Sequence, residues 1–325
     1  MKIVENKKKN ENYRLLKLVF KNKTLYTPTY FPAISSIDSK FPPEELLKFF
    51  IRTGYPQLLI SAYDFYNYFK TNLKLVSILN KYSKKHFLFV DSGGYEKYWN
   101  RDKSWTLDLY KKITPKIKSD FYTSFDAESS KKINDKVFFS SIIQNGLIVP
   151  ASQYIPIFHS PKPKTLIKKI ENFLQKYPYA VSLIAVREVD CGISISERAR
   201  TIFQIRKLLN EKGGNQILHI LGAGHPLSIA LYSYCGADSF DSTDWFSSTF
   251  DLKSNTLLDP SHIDLVTQSP SLIKIQNLTL KLLIHNLDSY FVFMKKIQAL
   301  IRNNKLYPFL QKNKINKDII EKIKN

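Results

Sequence analysis

Cysteine is nearly absent from this sequence. Its 325 residues include two, Cys191 and Cys235, which are too few for a disulfide framework. No Cys-x-x-Cys pair occurs, which excludes the commonest zinc-binding pattern. So little cysteine is typical of a reducing compartment, and we expect a cytoplasmic protein.

Long apolar runs are missing as well. Residues 1–12 are charged and lack the apolar core of a signal peptide, and no later stretch is long and apolar enough to cross a bilayer. We therefore expect neither export by a visible signal nor contact with a membrane. Hydrophobic residues make up 43% of the chain, which predicts a globular core rather than disorder.

Acidic residues are scarce relative to basic ones. The chain has 49 Lys and Arg against 28 Asp and Glu, a formal net charge of +21. Such a charge favours a polyanionic partner such as nucleic acid, because basic side chains neutralise phosphates and release counterions. An A/T-rich genome would raise the lysine content of any protein and explains the same number. Charge alone therefore does not assign a partner.

Apolar strands and amphipathic helices alternate over the first 250 residues. The pattern predicts eight strands, at residues 26–33, 57–61, 86–90, 120–125, 155–158, 180–186, 216–221 and 238–240. Helices are predicted at 43–52, 64–82, 107–117, 129–145, 164–176, 194–210 and 226–234. Eight such alternations favour an α/β fold of the (β/α)8 TIM barrel type over an open doubly wound sheet.

Residues 251–325 depart from this alternation. They predict a C-terminal helical extension with one long helix over about 272–302. We therefore divide the chain into a catalytic barrel domain, residues 1–250, and a helical subdomain, residues 251–325.

Three aspartates follow predicted strands, where side chains of a barrel converge on one rim. Asp91 precedes Ser92-Gly93-Gly94, and glycines there let the backbone approach a ligand closely. Asp126 could accept paired hydrogen bonds from a base such as guanine, or cap a helix. Asp241 is a candidate for attack on an anomeric carbon. Asp238 points to the opposite face of its strand and is expected to be structural.

Two further motifs are weaker. Leu221-Gly222-Ala223-Gly224-His225-Pro226 has the composition of a phosphate-binding turn, although glycine-rich turns between strand and helix are frequent. His285 lies among apolar residues of the long predicted helix. A core histidine is the more common interpretation of such a position than a metal ligand.

Taken in order, these segments resemble the tRNA-guanine transglycosylase family, whose members exchange guanine for a deazaguanine base in nucleic acid. The resemblance spans about residues 26–300 and rests on six segments. They are Thr27-Pro28-Thr29-Tyr30-Phe31-Pro32, Asp91-Ser92-Gly93-Gly94-Tyr95, Phe125-Asp126, the turn 221–226, Phe240-Asp241 and His285-Asn286-Leu287.

The resemblance implies specific roles. Asp241 would be the nucleophile that forms a covalent ribosyl intermediate, and Asp91 the general acid and base. Tyr95 would stack on the base, while Asp126, helped by Ser92, would read its Watson–Crick edge. The implied substrate-binding set also includes Gly93, Gly94, His159, Gly222 and Gly224. His159 stands where the family has a glutamine, and Gly222 and Gly224 are expected at the pocket wall or near a phosphate.

The sequence departs from the family at two places. Glu96 replaces a glutamine, which predicts an altered selectivity for the incoming base. The Cys-x-Cys-x-x-Cys zinc ligands are missing between Asp241 and His285. We therefore expect no cofactor, and interpret residues 251–325 as a remnant of the family's zinc-binding region.

One branch of the family is favoured. Residues 237–241 followed by Asp244-Trp245, together with Val186-Arg187-Glu188, resemble its DNA-modifying members. The hypothesis is a DNA-guanine transglycosylase that inserts a 7-deazaguanine after base flipping, with residues 162–169 gripping phosphates. A tRNA substrate and a non-catalytic barrel that binds nucleic acid or deazaguanine are the alternatives. Analogy alone also allows a helper protein and a homodimer.

Overall fold

The computed structural model describes residues 2–6, 13–37, 39, 41–126, 139–140, 153–177, 181–213, 216–266 and 269–324. Its strands are β1 Lys2–Asn6, β2 Leu15–Phe20, β3 Lys23–Tyr26, β4 Thr29–Ile34, β5 Gln57–Ser61, β6 Phe87–Asp91, β7 Phe121–Thr123, β8 Tyr154–Ile155, β9 Ile157–Phe158, β10 Leu183–Arg187, β11 Ile217–Leu221, β12 Ser239–Ser242, β13 Thr249–Asp251 and β14 Thr256–Leu258.

The α-helices are α1 Pro43–Thr53, α2 Ala62–Asp64, α3 Leu73–Lys85, α4 Gly94–Trp99, α5 Leu107–Ile113, α6 Pro163–Lys176, α7 Ile195–Lys212, α8 Pro226–Tyr234, α9 Asp244–Ser247, α10 Pro270–Ile273, α11 Leu278–Arg302, α12 Leu306–Lys312 and α13 Lys317–Lys324. Four short segments have other helical geometry: Phe65–Phe69, Thr114–Lys116, Glu188–Cys191 and Pro260–Leu265. Among the residues that the structure describes, no helix combines the length and apolarity needed to cross a membrane.

Nine strands form one parallel sheet that curls into a nearly closed barrel. Their order is β8-β7-β6-β5-β4-β12-β11-β10-β9, and the two edge strands β8 and β9 are separated along the chain by Pro156 alone. The Pro156 carbonyl accepts a hydrogen bond of 2.9 Å from the Ala185 N–H of β10. Proline has no N–H to offer a sheet ladder, which explains the break at this residue. With helices outside the sheet, the architecture is consistent with a TIM-like barrel.

The predicted strands correspond closely to this sheet. Each of the eight is observed within three residues at either end, except that the segment 155–158 is divided at Pro156 into β8 and β9. The predicted helix 64–82 is interrupted, because the Asn72 side chain caps α3 by accepting a hydrogen bond from the Leu75 N–H. The predicted helix 129–145 lies almost entirely outside the described residues.

The amino-terminal end of the barrel is filled and covered. Inward side chains such as Phe31, Phe89 and Phe121 form one apolar cluster with Leu16 and Leu18 of β2. Strands β1, β2 and β3 make a small antiparallel sheet at this end. An apolar cover at this end leaves the carboxyl ends of the strands as the rim where a ligand can enter.

Asp238 has the structural role predicted for it. Its carboxylate accepts hydrogen bonds of 2.9 Å from Arg14 Nε and Nη2 and 2.5 Å from Arg206 Nη2. Burial raises the pKa of Asp238, but the two guanidinium groups outweigh it and the pKa is lowered. The ionised carboxylate thus ties β2 and α7 to the start of β12.

The C-terminal residues share the core of the barrel. Helix α11 stacks Tyr290 on Tyr30 of β4 with ring centroids 4.1 Å apart, and Gln298 Nε2 donates to the Pro28 carbonyl at 2.9 Å. The helix begins at Leu278, six residues after its predicted start, because Asn277 caps it. The hairpin β13–β14 at the boundary between the two predicted domains was not expected.

Candidate active site

A cavity of about 720 Å³ opens at the carboxyl ends of the barrel strands. Its size lies within the range of about 300–1,000 Å³ that is usual for small-molecule sites. Seven of the ten predicted site residues line it: Asp91, Gly94, Tyr95, Asp126, His159, Gly222 and Asp241. Strands distant in sequence therefore bring the three aspartates to one chamber, in the place where barrel enzymes carry their chemistry.

Asp91 lies at the end of β6 in a tight turn. Its Oδ2 accepts a hydrogen bond of 2.8 Å from the Gly93 N–H, and its Oδ1 accepts one of 3.3 Å from Thr123 Oγ1. Gly93 has φ +85°, and a Cβ there would lie 2.3 Å from Tyr63 Cβ, so the turn requires glycine.

The pKa of Asp91 is raised to about 6. Burial is the main cause, and the charges of Asp241 and Asp126 add to it, against the opposing hydrogen bond from Gly93. A carboxyl group with such a pKa can both give and take a proton near neutral pH.

Asp241 on β12 is held by one of its two oxygens. Oδ1 lies 3.0 Å from His219 Nε2 and accepts a hydrogen bond of 3.3 Å from the Gly222 N–H. Among the described residues, none donates a hydrogen bond to Oδ2. One oxygen is therefore fixed while the other is left to react.

His219 is the main site residue that sequence reasoning missed. It is fully buried on β11 beneath Asp241, and its Nδ1 lies 2.8 Å from Ser239 Oγ. A ring with its hydrogen on Nε2 donates a hydrogen bond to Asp241 and accepts one from the Ser239 hydroxyl at Nδ1, which satisfies both contacts. One feature of the sequence could have identified it: His219 is the polar residue among the inward-facing positions 217, 219 and 221 of a strand that is otherwise apolar.

Asp126 is held by a chain of charged groups. Its Oδ1 lies 3.1 Å from His159 Nε2, and His159 Nδ1 lies 2.9 Å from Asp190 Oδ2. Arg187 donates two hydrogen bonds of 2.9 Å to the Asp190 carboxylate. His159 lines the cavity, and both its nitrogens face carboxylates of the protein. Its contacts therefore orient Asp126.

The pKa shifts of His159 and Asp126 agree with these contacts. Burial lowers the pKa of His159, but Asp126 and Asp190 outweigh it and the pKa is raised. Burial raises the pKa of Asp126, yet the charge of His159, with that of Arg187, outweighs it and the pKa is lowered. Asp126 is therefore an ionised acceptor at neutral pH, and a good partner for N–H groups of a ligand.

Three residues of the predicted set do not line the cavity. Ser92 is fully buried, and its Oγ accepts a hydrogen bond of 3.2 Å from the Asp126 N–H, so it acts on the protein backbone. Gly93 shapes the turn described above. A Cβ on Gly224 would lie 1.9 Å from Ser242 Oγ and 2.0 Å from Asp244 Oδ2. Gly224 therefore allows two loops to pack closely and does not reach the ligand space.

Gly94 and Gly222 do form part of the wall. A Cβ on Gly94 would lie 2.8 Å from the Asp126 carboxylate, so glycine is needed for the two turns to meet. Gly222 has φ +77° and offers its N–H to Asp241, as described above. Both glycines thus support aspartates of the cavity.

Glu96 contributes a carboxyl group to the cavity wall. Its Oε1 lies 2.6 Å from Ser35 Oγ and its Oε2 lies 2.9 Å from Ser61 Oγ. Burial, followed by the charge of Asp64, raises the pKa of Glu96 to about 8. At neutral pH this side chain is largely protonated and can donate a hydrogen bond as well as accept one.

His285 contacts the protein backbone. Its Nε2 lies 2.8 Å from the Phe250 carbonyl, and the Phe250 N–H donates to Asn286 Oδ1 at 2.9 Å. The pair therefore anchors the segment after β12 to helix α11. Within the described residues, no group of three or more His, Cys, Asp or Glu side chains could hold a metal ion.

Comparison with known proteins adds no assignment. No protein-family model matches this chain, and no curated protein matches its sequence.

Proposed function

We propose that this protein is a guanine transglycosylase that replaces guanine in DNA with a 7-deazaguanine base. The observation that carries the proposal is the meeting of Asp91, Asp126 and Asp241 in one cavity, each in a different electrostatic state or hydrogen-bonding environment. The ordered resemblance of the surrounding segments to the transglycosylase family supports the same reaction.

In the proposed first half-reaction, Asp241 Oδ2 attacks C1′ of the target nucleotide. The bond between C1′ and the guanine N9 breaks, and its electron pair moves onto the departing base. Asp91, in its protonated form, gives a proton to that base, which leaves as neutral guanine. The products are an aspartyl ester of the sugar and an Asp91 carboxylate.

The second half-reaction reverses these steps with the new base. The Asp91 carboxylate takes the proton from the ring nitrogen of the incoming deazaguanine. That nitrogen attacks C1′, and the ester bond to Asp241 breaks with its electron pair returning to the carboxylate. No oxidant or cofactor is needed for the atoms and electrons to balance.

Base recognition is assigned to Asp126 and Tyr95. The ionised Asp126 carboxylate suits the neighbouring N–H donors of the guanine edge. Tyr95 lines the same cavity with 44% of its surface exposed, and in our proposal its ring stacks on the base. The neutral Glu96 carboxyl offers a further contact, and in our proposal it selects among incoming bases.

DNA is the proposed polymer because of the resemblance of residues 237–245 and 186–188 to the DNA-modifying branch. The phosphate grip predicted for residues 162–169 needs a correction. Lys162, Lys164 and Lys168 are exposed, but Lys169 is buried and cannot contact the phosphate backbone of DNA. Any grip by helix α6 rests on the three exposed lysines.

Incubation of the purified protein with radiolabelled guanine and, in separate reactions, DNA or tRNA tests the function. We expect label to enter DNA with the natural protein and to be absent with Asp241→Ala. Asp318→Ala, which removes an exposed aspartate, serves as the matched control and retains activity. Label in tRNA alone would transfer the assignment to a tRNA enzyme, and full activity of Asp241→Ala would overturn it.

A further inference from the structure

Three aromatic side chains of helix α4 lie exposed at the mouth of the acidic cavity. Tyr95, Tyr98 and Trp99 have 44%, 60% and 58% of their surfaces exposed, and all three line the opening. The ring centroids of Tyr98 and Trp99 are 5.5 Å apart, and those of Tyr95 and Trp99 are 6.2 Å apart. We call these three rings the aromatic platform. A contiguous exposed aromatic surface of this kind marks an interaction site.

The platform is fixed relative to the cavity. Helix α4 starts directly from the Asp91 turn, and Glu96, in the middle of the helix, is buried and held by Ser35 and Ser61. The orientation of the three rings is therefore set by the same elements that place the catalytic carboxyl groups. A ligand in the cavity therefore lies next to these rings.

The surroundings of the platform favour an anionic partner. Arg101 and Lys103 follow helix α4 and are exposed. The one acid among residues 97–103 is Asp102, whose carboxylate accepts hydrogen bonds from the Ser104 backbone N–H and hydroxyl at 2.7 and 2.6 Å. Rings beside cationic side chains form the combination that binds unpaired bases and their phosphates.

We propose that the aromatic platform stacks on unpaired bases that flank the target nucleotide, so that the substrate is single-stranded or locally opened DNA. The proposal rests on the function proposed above and narrows its substrate class. In an intact duplex the flanking bases are paired and stacked on each other, and their faces are not available to Tyr98 and Trp99. Only the target base has to enter the cavity.

The tryptophans of the chain provide a direct probe. Trp105 and Trp245 are buried, with 1% and 0% of their surfaces exposed, so Trp99 is the one that a ligand can touch. We would titrate the inactive Asp241→Ala protein with a guanine-containing 12-nucleotide single strand, the same sequence as duplex and as RNA, and heparin as a polyanion without bases. Tryptophan fluorescence reports contact with Trp99 without turnover. The anisotropy of a fluorescein label on each nucleic acid measures the affinity, and it does so in the variants that lack Trp99 as well.

We expect the DNA single strand to quench the fluorescence, and Trp99→Phe to remove most of the quenching. Replacing both Tyr98 and Trp99 by Ala should weaken binding of the single strand at least tenfold, since each base–ring stack contributes several-fold in affinity. Phe291→Ala, which removes a comparably exposed ring on helix α11, should leave the affinity unchanged. The duplex should bind at least tenfold more weakly than the single strand.

Three results would overturn the stacking of the platform on unpaired bases: equal affinity for duplex and single strand, unchanged affinity in the double variant, or the same quenching by heparin. Stronger binding of RNA than of DNA would assign the platform to RNA and overturn the DNA substrate. Binding through the platform with no label transferred by the natural protein would contradict only the transglycosylase function. The two failures are therefore distinguishable.

Discussion

At the scale of single residues, the site separates the protonation states of similar groups. Asp91 and Glu96 have raised pKa values of about 6 and about 8, mainly because both are buried. The pKa of Asp126 is lowered, because the His159 charge outweighs its burial. One cavity thus holds an ionised acceptor, a group that titrates near neutrality and a largely neutral acid, which is the division that acid–base chemistry requires.

His219 offers a test of how Asp241 is positioned. His219→Phe removes the contact to Asp241 Oδ1 but keeps a ring among Phe31 and Phe89, whose centroids lie 6.4 and 4.8 Å from the imidazole. Loss of a hydrogen bond to a charged group should lower kcat about 10- to 100-fold, with KM little changed. Steady-state kinetics and thermal unfolding of the variant check this. An unchanged kcat would contradict the role.

Glu96 predicts a dependence of stability on pH. The folded-state pKa of about 8 exceeds the usual value of 4.5, so the folded state favours the protonated acid. Its contribution to stability is complete below about pH 4.5 and is lost as the pH rises through about 8. The natural protein should therefore lose stability on the order of 4 kcal/mol between these limits, and Glu96→Gln should remove this pH-dependent loss.

Urea unfolding of both proteins at pH 5 and pH 8.5 measures this effect. The free energy of unfolding should fall more steeply with pH for the natural protein than for Glu96→Gln. Ser104→Ala, which removes a surface contact of Asp102, should leave the change in stability between pH 5 and pH 8.5 as it is, because the pKa of Asp102 is lowered from its usual value and lies below this range. Identical pH slopes for the natural protein and Glu96→Gln would show that the Glu96 carboxyl does not titrate as described.

At the scale of elements, strand identity was readable from the sequence while strand ends and long-range partners were not. Apolar runs such as 57–61 and 86–90 predicted β5 and β6 to within a residue, since fully buried strands are apolar throughout. The division of the fifth strand depends on Pro156, whose effect shows only once both of its neighbours are paired. The start of helix α11 is set by the cap at Asn277. The residues before Asn277 are similarly apolar, so hydrophobic pattern alone places the start too early.

The same limit applied to the site. Asp91, Asp126 and Asp241 could be chosen because each follows a predicted strand. The contact of His219 with Asp241 joins positions 22 residues apart, and the link from Asp126 through His159 to Asp190 joins three separate segments of the chain. Such pairings depend on how the barrel closes. The local hydrophobic pattern of the sequence does not reveal such long-range contacts.

Helix α11 anchors the loop that follows the proposed nucleophile, and this can be tested. Asn286 is fully buried, and it accepts from the Phe250 N–H and donates to the carbonyls of Trp245 and Ser248. Asn286→Ala leaves these groups without partners, so we expect a loss of about 2–3 kcal/mol in the free energy of unfolding.

Urea unfolding compares this variant with Asn303→Ala, which removes an exposed asparagine from the end of the same helix. The control should change stability by less than about 0.5 kcal/mol. Equal stability of the two variants would mean that the Asn286 contacts do not hold the loop after β12.

At the scale of the whole molecule, charge is arranged in opposite senses inside and outside the site. The protein carries a net charge of +21, yet its cavity is lined by more carboxyl groups than basic side chains. Its acidic lining residues are Asp91, Glu96, Asp126, Glu188, Asp190, Asp241 and Asp244, against Lys97, His159 and Arg187. Phosphates are favoured at the surface and disfavoured within the chamber, whereas a base rich in N–H donors suits it. This distribution fits an enzyme that takes one base out of a polyanion.

The most direct test of the central claim is to trap the covalent intermediate. The natural protein, incubated with guanine-containing single-stranded DNA and no incoming base, should give an adduct on a denaturing gel. Its mass should equal protein plus DNA minus guanine, and peptide mapping should place the DNA on Asp241. Asp241→Ala should give no adduct. An adduct on another residue, or none from the natural protein despite tight binding of DNA, would contradict the account.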